Sequence, residues 1–297
     1  MRPALVAVMG PTASGKTALA EALADRWDAV LVNADAFQCY RRLDIGTAKP
    51  PNRGRYQLLD IKDPTEQLTA GEWVSRAREA LERAYAEGRS AVVVGGTGLY
   101  IRALFEEYAE MAEPPPEEVR QRVRSEVRRQ GPEAAHRWLS ELDPQAAARV
   151  DPRNPARVAR ALERALHPAT QTHQPLPPFR KVKVALVPPA DETARRAGER
   201  LQRMLAAGWL EEVRALREDG LPRDAPGLRA IGYRDLWEVL EGRCAILEAK
   251  ERILRATVQY AKRQRTWLRS EPNLRPLRWN AETEEQIGAV EATLLEL

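Results

Sequence analysis

Three observations predict an α/β fold built on a parallel sheet, with an all-helical segment inserted into it. Short apolar runs alternate with amphipathic stretches of helical period in the first hundred residues of the 297-residue chain. The first apolar run, Ala4 to Met9, leads into the glycine loop Gly10-Pro11-Thr12-Ala13-Ser14-Gly15-Lys16-Thr17, of the form G-x-x-x-x-G-K-[ST]. Between the proline-rich stretches Glu113-Pro114-Pro115-Pro116 and Gln174 to Phe179, only helical periodicity occurs. The expected organisation is a P-loop nucleoside-triphosphatase-like core over residues 1–112 and 180–297, C-terminal helices included. A helical insertion domain is expected over residues 113–179.

In chain order, Ala4 to Met9 reads as a buried strand and Lys16 to Trp27 as a helix opened by the glycine loop. A second strand, Ala29 to Asn33, ends at Asp35. A polar, proline-containing stretch from Pro50 to Pro64 separates it from a helix over Ala70 to Glu87, stopped by Gly88. A third buried strand, Ser90 to Val94, runs into Gly95-Gly96-Thr97-Gly98 and another helix. Strands alternating with helices make a parallel sheet, which binds ligands at its carboxyl edge. Inside the insertion the helical pattern runs to about Thr172 and breaks at Gly131-Pro132, Asp143-Pro144 and Asp151-Pro152. Val182 to Val187 returns to the sheet, and a long helix spans Ile246 to Arg269.

Composition removes several classes of function. The chain is 43% hydrophobic and 30% charged, which is the balance of a folded domain rather than a disordered one. No apolar run approaches the ~20 residues of a membrane-spanning helix. Met1-Arg2-Pro3-Ala4 runs straight into the first strand and leaves no room for a signal peptide, so a cytoplasmic protein with no membrane partner is expected, as a monomer. Two cysteines, Cys39 and Cys244, cannot build a disulfide framework, and His136, His167 and His173 show no metal-ligand spacing. Forty of the forty-seven basic residues are arginine, a bias that genome composition or phosphate recognition can produce.

The glycine loop carries the chemistry. Its backbone N–H groups and the helix N-terminus wrap a phosphate chain, Lys16 neutralises the outer phosphates, and the Thr17 hydroxyl suits Mg²⁺. Asp35 stands on the same sheet edge, either as a turn aspartate or as a carboxylate facing the reacting centre, on metal or as a general base. Thr97 lies on that edge too, as a plain helix cap or as part of the site. Val92-Val93-Val94 is followed by Gly-Gly-Thr rather than by an aspartate, which weakens an ATPase reading and leaves a nucleoside or small-metabolite kinase open.

Basic residues form three runs. Arg120, Arg122, Arg124, Arg128 and Arg129 make one. Arg149, Arg153, Arg157, Arg160 and Arg164 make the next, with the last four spaced for one helical face. Lys262, Arg263, Arg265 and Arg269 surround Gln264 and Trp267 in the third. One such run is ordinarily a solvated face; three on a chain of net charge +4 point to a polyanion larger than a nucleotide, most simply a nucleic acid.

The order of these motifs resembles the tRNA dimethylallyltransferase (tRNA isopentenyltransferase) family, from the glycine loop to about Arg269. The strings that carry the resemblance are Asn33-Ala34-Asp35 with Gln38 and Tyr40, Asp44-Ile45-Gly46-Thr47-Ala48-Lys49-Pro50, and Leu59-Asp60-Ile61. Val94-Gly95-Gly96-Thr97 with Leu99-Tyr100, Ala161-Leu162-Glu163, Arg229-Ala230-Ile231-Gly232-Tyr233-Arg234, and Tyr260-Ala261-Lys262-Arg263-Gln264 with Thr266-Trp267 complete them. The resemblance implies transfer of a dimethylallyl group from dimethylallyl diphosphate to N6 of the adenine 3′-adjacent to the tRNA anticodon, with Mg²⁺ as cofactor. It implies that Asp35 takes the N6 proton and that Lys16 and Arg229 act on the diphosphate held by Gly10 to Thr17. Asp35, Ala36, Phe37, Gln38, Thr97, Arg120, Arg157, Arg160, Arg229, Tyr233, Arg234, Lys262, Arg263, Gln264 and Trp267 are the implied tRNA contacts. The chain departs from the family pattern at Ala36, at Arg55-Tyr56-Gln57, at Pro155 and at Val258.

Overall fold

A computed structural model describes residues 2–107, 115–168 and 174–297. Six strands form one parallel sheet: β1 (Ala4–Met9), β2 (Val30–Asn33), β3 (Tyr56–Gln57), β4 (Ala91–Gly95), β5 (Arg180–Leu186) and β6 (Leu274–Leu277), in the order β3-β2-β4-β1-β5-β6. β1 lies between β4 and β5, with Val6 opposite Val92 on one side and Val182 on the other. It is buried throughout, as the unbroken apolar run requires. Helices α1 (Lys16–Trp27) and α12 (Thr283–Leu295) join one core with Val6, Val8, Val92, Val94 and Val184, through Leu19, Leu23, Ile287 and Val290. Helix α2 (Ala70–Ala86) is capped by the Thr69 side chain, which accepts the Glu72 N–H. Its Trp73 donates to the carbonyl of Asn33 at 3.0 Å and stacks on Tyr100 of α3 (Gly98–Phe105), 4.7 Å between ring centroids.

Two strands escaped the sequence reading, both at sheet edges. β3 has two residues inside the polar stretch, too short to show a period. β6 contains Pro276, which an edge strand tolerates because one side needs no ladder donor. β5 begins two residues earlier than expected, because the Arg180 N–H donates to the carbonyl of Pro3 at 3.0 Å.

The chain divides into two compact units, residues 1–107 with 175–297 and residues 108–174. Gln174 to Phe179, expected as a hinge, is largely packed on the first unit: Leu176 and Phe179 are buried there, and the Phe179 ring meets Tyr85 edge-on at 4.9 Å. The expected linker residues Glu113 and Pro114, the end of the helical pattern at Thr172, and His173 lie outside the described residues. The second unit contains α4 (Glu117–Gln130), α5 (Pro132–Leu142), α6 (Pro144–Ala147) and α7 (Pro155–Leu166), closed on Val123, Val127, Leu139, Val158 and Leu162. α5 and α6 start at the expected breaks, Pro132 and Pro144, whereas α7 starts at Pro155, three residues beyond the break at Pro152. The side chains of Asp143 and Asn154 accept the N–H groups of Ala146 and Arg157, and Pro144 and Pro155 occupy the first helical position. The proline departure at 155 is therefore favourable locally. Arg153 precedes this cap, so it does not share the α7 face with Arg157, Arg160 and Arg164 as the spacing suggested.

The rest of the first unit is helical, with α8 (Ala190–Ala206), α9 (Trp209–Glu218), α10 (Tyr233–Leu240) and α11 (Ile246–Arg269). Among the described residues, no helix is long and apolar enough to cross a membrane.

Candidate active site

The glycine loop turns through two left-handed residues, Ala13 (φ 62°) and Gly15 (φ 90°), before α1 begins. No side chain caps α1, so its N-terminus is open to an anion. The Ser14 hydroxyl is buried without a partner among the described residues, and Lys16 Nζ donates back to the carbonyl of Pro11 at 3.2 Å. Burial brings the Lys16 ammonium down to about 8, against the opposing field of Asp35 and with a further push from Arg200.

Asp35 is held from three directions. Asn33 Oδ1 accepts its N–H at 3.1 Å, and Asn33 Nδ2 donates to its carbonyl at 3.1 Å. Its own Oδ1 accepts the Phe37 N–H at 3.1 Å, an Asx-type turn. Thr97 Oγ1 accepts the next N–H, that of Ala36, at 3.1 Å. Thr97 heads α3 without capping it, so its hydroxyl serves the Asp35 turn rather than the helix. The two chain segments come this close because Gly95 has no Cβ; one there would lie 2.1 Å from the carbonyl oxygen of Ala34.

Two cavities meet at Asp35. One, of about 70 Å³, lies under the loop and is lined by Lys16, Thr17, Asn33 and Gln38. The other, of about 240 Å³, has an apolar wall of Leu201, Met204, Trp209, Ile231 and Ile253. Thr12, Asp35, Arg200 and Tyr260 line both.

The structure separates the expected site residues into groups. Gly10 to Thr17, Asp35, Gln38 and Thr97 come together at the carboxyl edge, with Ala36 and Phe37 beside them. Arg229 stands exposed on the wall of the larger cavity and does not line the compartment under the loop. The arginine at the loop is Arg200, whose Nη1 donates to Thr12 Oγ1 at 3.3 Å. Sequence reasoning missed it: α8 carries Arg195, Arg196, Arg200 and Arg203, and nothing local singles one out.

Tyr233 cannot meet RNA, being 0% exposed with its hydroxyl donated to Glu212 at 2.6 Å. Gln264 is buried as a clamp: Oε1 accepts the Thr12 N–H at 2.9 Å and Nε2 donates to the carbonyl of Gly96 at 3.1 Å. Trp267 is engaged internally, its Nε1 on Glu271 and the Arg102 guanidinium 4.2 Å from its ring centroid. Arg234, Lys262 and Arg263 are exposed. In the second unit Arg157 is exposed, Arg120 pairs with Glu117, and Arg160 and Arg124 flank Glu163, which is 2% exposed.

Among the described residues no group of three or more His, Cys, Asp or Glu side chains could hold a metal ion. A site beside Thr17 fits only a cation that takes most of its ligands from phosphate oxygens and water, the habit of Mg²⁺.

The glycine loop thus opens onto a chamber with an apolar wall, and Asp35 lies where the two meet. Two family models match the chain: that described as IPP transferase matches residues 38–271, and that described as isopentenyl transferase matches residues 3–58. The tRNA dimethylallyltransferase of Thermomicrobium roseum is 42% identical over 276 residues, 90% of this chain and 84% of that protein. The crystal structure of the tRNA isopentenylpyrophosphate transferase of Bacillus halodurans superposes with a TM-score of 0.72 at 32% identity, covering 99% of this chain and 97% of that one. A eukaryotic dimethylallyltransferase acting on tRNA shares the fold, with a TM-score of 0.79 at 21% identity over 98% of this chain and 78% of that one. The chain belongs to the IPP transferase family and is a prenyltransferase. This membership sets the kinase alternative aside.

Proposed function

We propose that the protein transfers a dimethylallyl group from dimethylallyl diphosphate to N6 of the adenine 3′-adjacent to the anticodon in tRNA, releasing diphosphate. The observation that carries this reading is Asp35, which lines both the compartment under the phosphate loop and the apolar cavity. The diphosphate sits on Gly10 to Thr17, the allyl group enters the apolar cavity, and the acceptor amine meets the allylic carbon at Asp35.

An exocyclic adenine amine is a weak nucleophile because its lone pair is conjugated with the ring. As the N–C bond forms and the C–O bond breaks, the electron pair of the C–O bond leaves with the diphosphate and the N6 proton passes to Asp35. Lys16, Arg200 and the open N–H groups of α1 face the charge that grows on the leaving oxygen. Thr17 would hold Mg²⁺ together with the diphosphate, and the ion supplies further neutralisation of that charge. The adenine has to leave the anticodon stack to reach Asp35. Arg120, Arg157, Arg160 and the exposed cations Lys262 and Arg263 are the residues we assign to the tRNA backbone.

The test is incubation of the protein with Mg²⁺, dimethylallyl diphosphate labelled in the allyl group, and unmodified tRNA. Label should appear in tRNA on one adenine. No transfer of label, or phosphate transfer from ATP to a small acceptor under the same conditions, would overturn the reading.

A further inference from the structure

We propose that Trp209 sets the length of hydrocarbon the larger cavity accepts, and so confines the donor to a five-carbon allyl diphosphate. The inference rests on the function proposed above.

The cavity has a direction. Arg200 and Tyr260 mark its end at the phosphate loop, and along α8 the residues Ala197, Leu201 and Met204, spaced by four and three, present one face to it. On α11, Ile253 lies seven residues before Tyr260, about 10 Å along a helix rising 1.5 Å per residue. Trp209, at the start of α9, lies beside Ile253 at that far end: a Cβ on Gly232 would come 2.2 Å from the Trp209 ring and 3.3 Å from Ile253.

The ring cannot swing aside. A Cβ on Gly46 would lie 2.1 Å from Trp209 Nε1, so the indole is wedged between the backbones of Gly46 and Gly232. Tyr233 meets it edge-on, with centroids 5.6 Å apart at 74°. Tyr233 is itself tied to Glu212, which also accepts the N–H groups of Asp44 and Ile45 at 2.9 and 2.7 Å. The indole is 1% exposed and its N–H is buried without an acceptor among the described residues, so it contributes volume here and no hydrogen bond.

This end suits hydrocarbon rather than a purine. Trp209 and Ile253 form it, Leu201, Met204 and Ile231 line the same cavity, and the two hydroxyls on its wall donate to their own backbone. Thr47 Oγ1 donates to the carbonyl of Leu43, and Thr257 Oγ1 donates to that of Ile253 at 2.8 Å. The donors left to a base there are the Trp209 N–H, wedged against Gly46, and the Arg229 guanidinium on the exposed wall, so most of its polar edge would be buried unpaired. A stiff aromatic wall at a fixed depth therefore stops a ten-carbon chain that a flexible end would admit.

The experiment compares kcat/KM for dimethylallyl and geranyl diphosphate with unmodified tRNA, in wild type, Trp209→Leu and Trp209→Phe, with a melting curve on each protein. Trp209→Leu should shift the ratio toward geranyl by at least about tenfold, in the range one or more methylenes are worth in an apolar pocket. Trp209→Phe should shift it less. An unchanged ratio in variants that melt like wild type overturns the proposal. So does a selective rise in KM for tRNA, which would place the base at this end. Should both variants fail to fold, wild type decides: geranyl diphosphate must compete at least about tenfold more weakly than the five-carbon donor binds, and equal competition overturns the proposal. A wild type that transfers nothing from dimethylallyl diphosphate would instead remove the function on which the inference rests.

Discussion

Gln264 on α11 accepts the backbone N–H of Thr12 at 2.9 Å, across 252 residues of sequence. Its Nε2 donates at the same time to the carbonyl of Gly96, so one buried amide ties the phosphate loop to the turn after β4. A conserved volume with one donor fewer tests what that clamp is for. Gln264→Glu should leave the Gly96 carbonyl without its donor, lower stability by about 1–3 kcal/mol and raise KM for the allyl diphosphate. Unchanged melting with unchanged KM would show that the loop holds its shape without the clamp.

Asp35→Asn keeps an oxygen for the Phe37 N–H but removes the proton acceptor. Single-turnover rates should fall by about two to four decades, while tRNA affinity changes little, because a base acts in the transition state. A loss of tRNA binding as deep as the loss of rate would make Asp35 a binding group.

Thr97→Val removes the acceptor of the Ala36 N–H while keeping the branched shape. The expected result is a lower kcat with nearly unchanged KM for both substrates, since the effect reaches the chemistry through the Asp35 turn. A large rise in KM for tRNA alone would mean that the hydroxyl contacts RNA directly.

Arg200→Lys should separate the loop arginine from the wall arginine. Lysine keeps the charge but loses the planar fork, so kcat/KM for the allyl diphosphate should drop by at least about tenfold, the factor that one lost charge-assisted hydrogen bond is worth. Arg229→Lys should do less to that constant, because Arg229 does not line the compartment under the loop. The reverse order would return the diphosphate role to Arg229.

Arg157 and Arg160 are expected to behave differently although they sit three residues apart. Arg157 is exposed, so Arg157→Ala should flatten the salt dependence of tRNA binding at constant melting temperature. Arg160 pairs at 3.1 Å with Glu163, which is 2% exposed and keeps Arg124 at 3.4 Å, so Arg160→Ala should also lower stability, by about 1 kcal/mol. Parallel salt slopes for wild type and Arg157→Ala would remove that face of α7 from the RNA site.

Contiguous features were the readable ones. The glycine loop, the strand before it and the helix after it are local, and α11 runs over the residues its period marks, Ile246–Arg269. Tyr233 and Gln264 sit in strings that the resemblance assigns to RNA, yet both are buried in the protein's own framework. A string shows which residues occur together; it does not show which way each side chain turns.

The sequence by itself determined a parallel α/β core, a phosphate-binding loop and an aspartate on the same edge, because backbone hydrogen bonding and side-chain period act over a few neighbouring residues. Only the tertiary structure decided which of the arginines on α8 reaches the loop, and that Trp209 closes the apolar cavity between two glycines. Those choices depend on how α8, α9 and α11 pack, and packing joins residues far apart in the chain through volumes that no local pattern records.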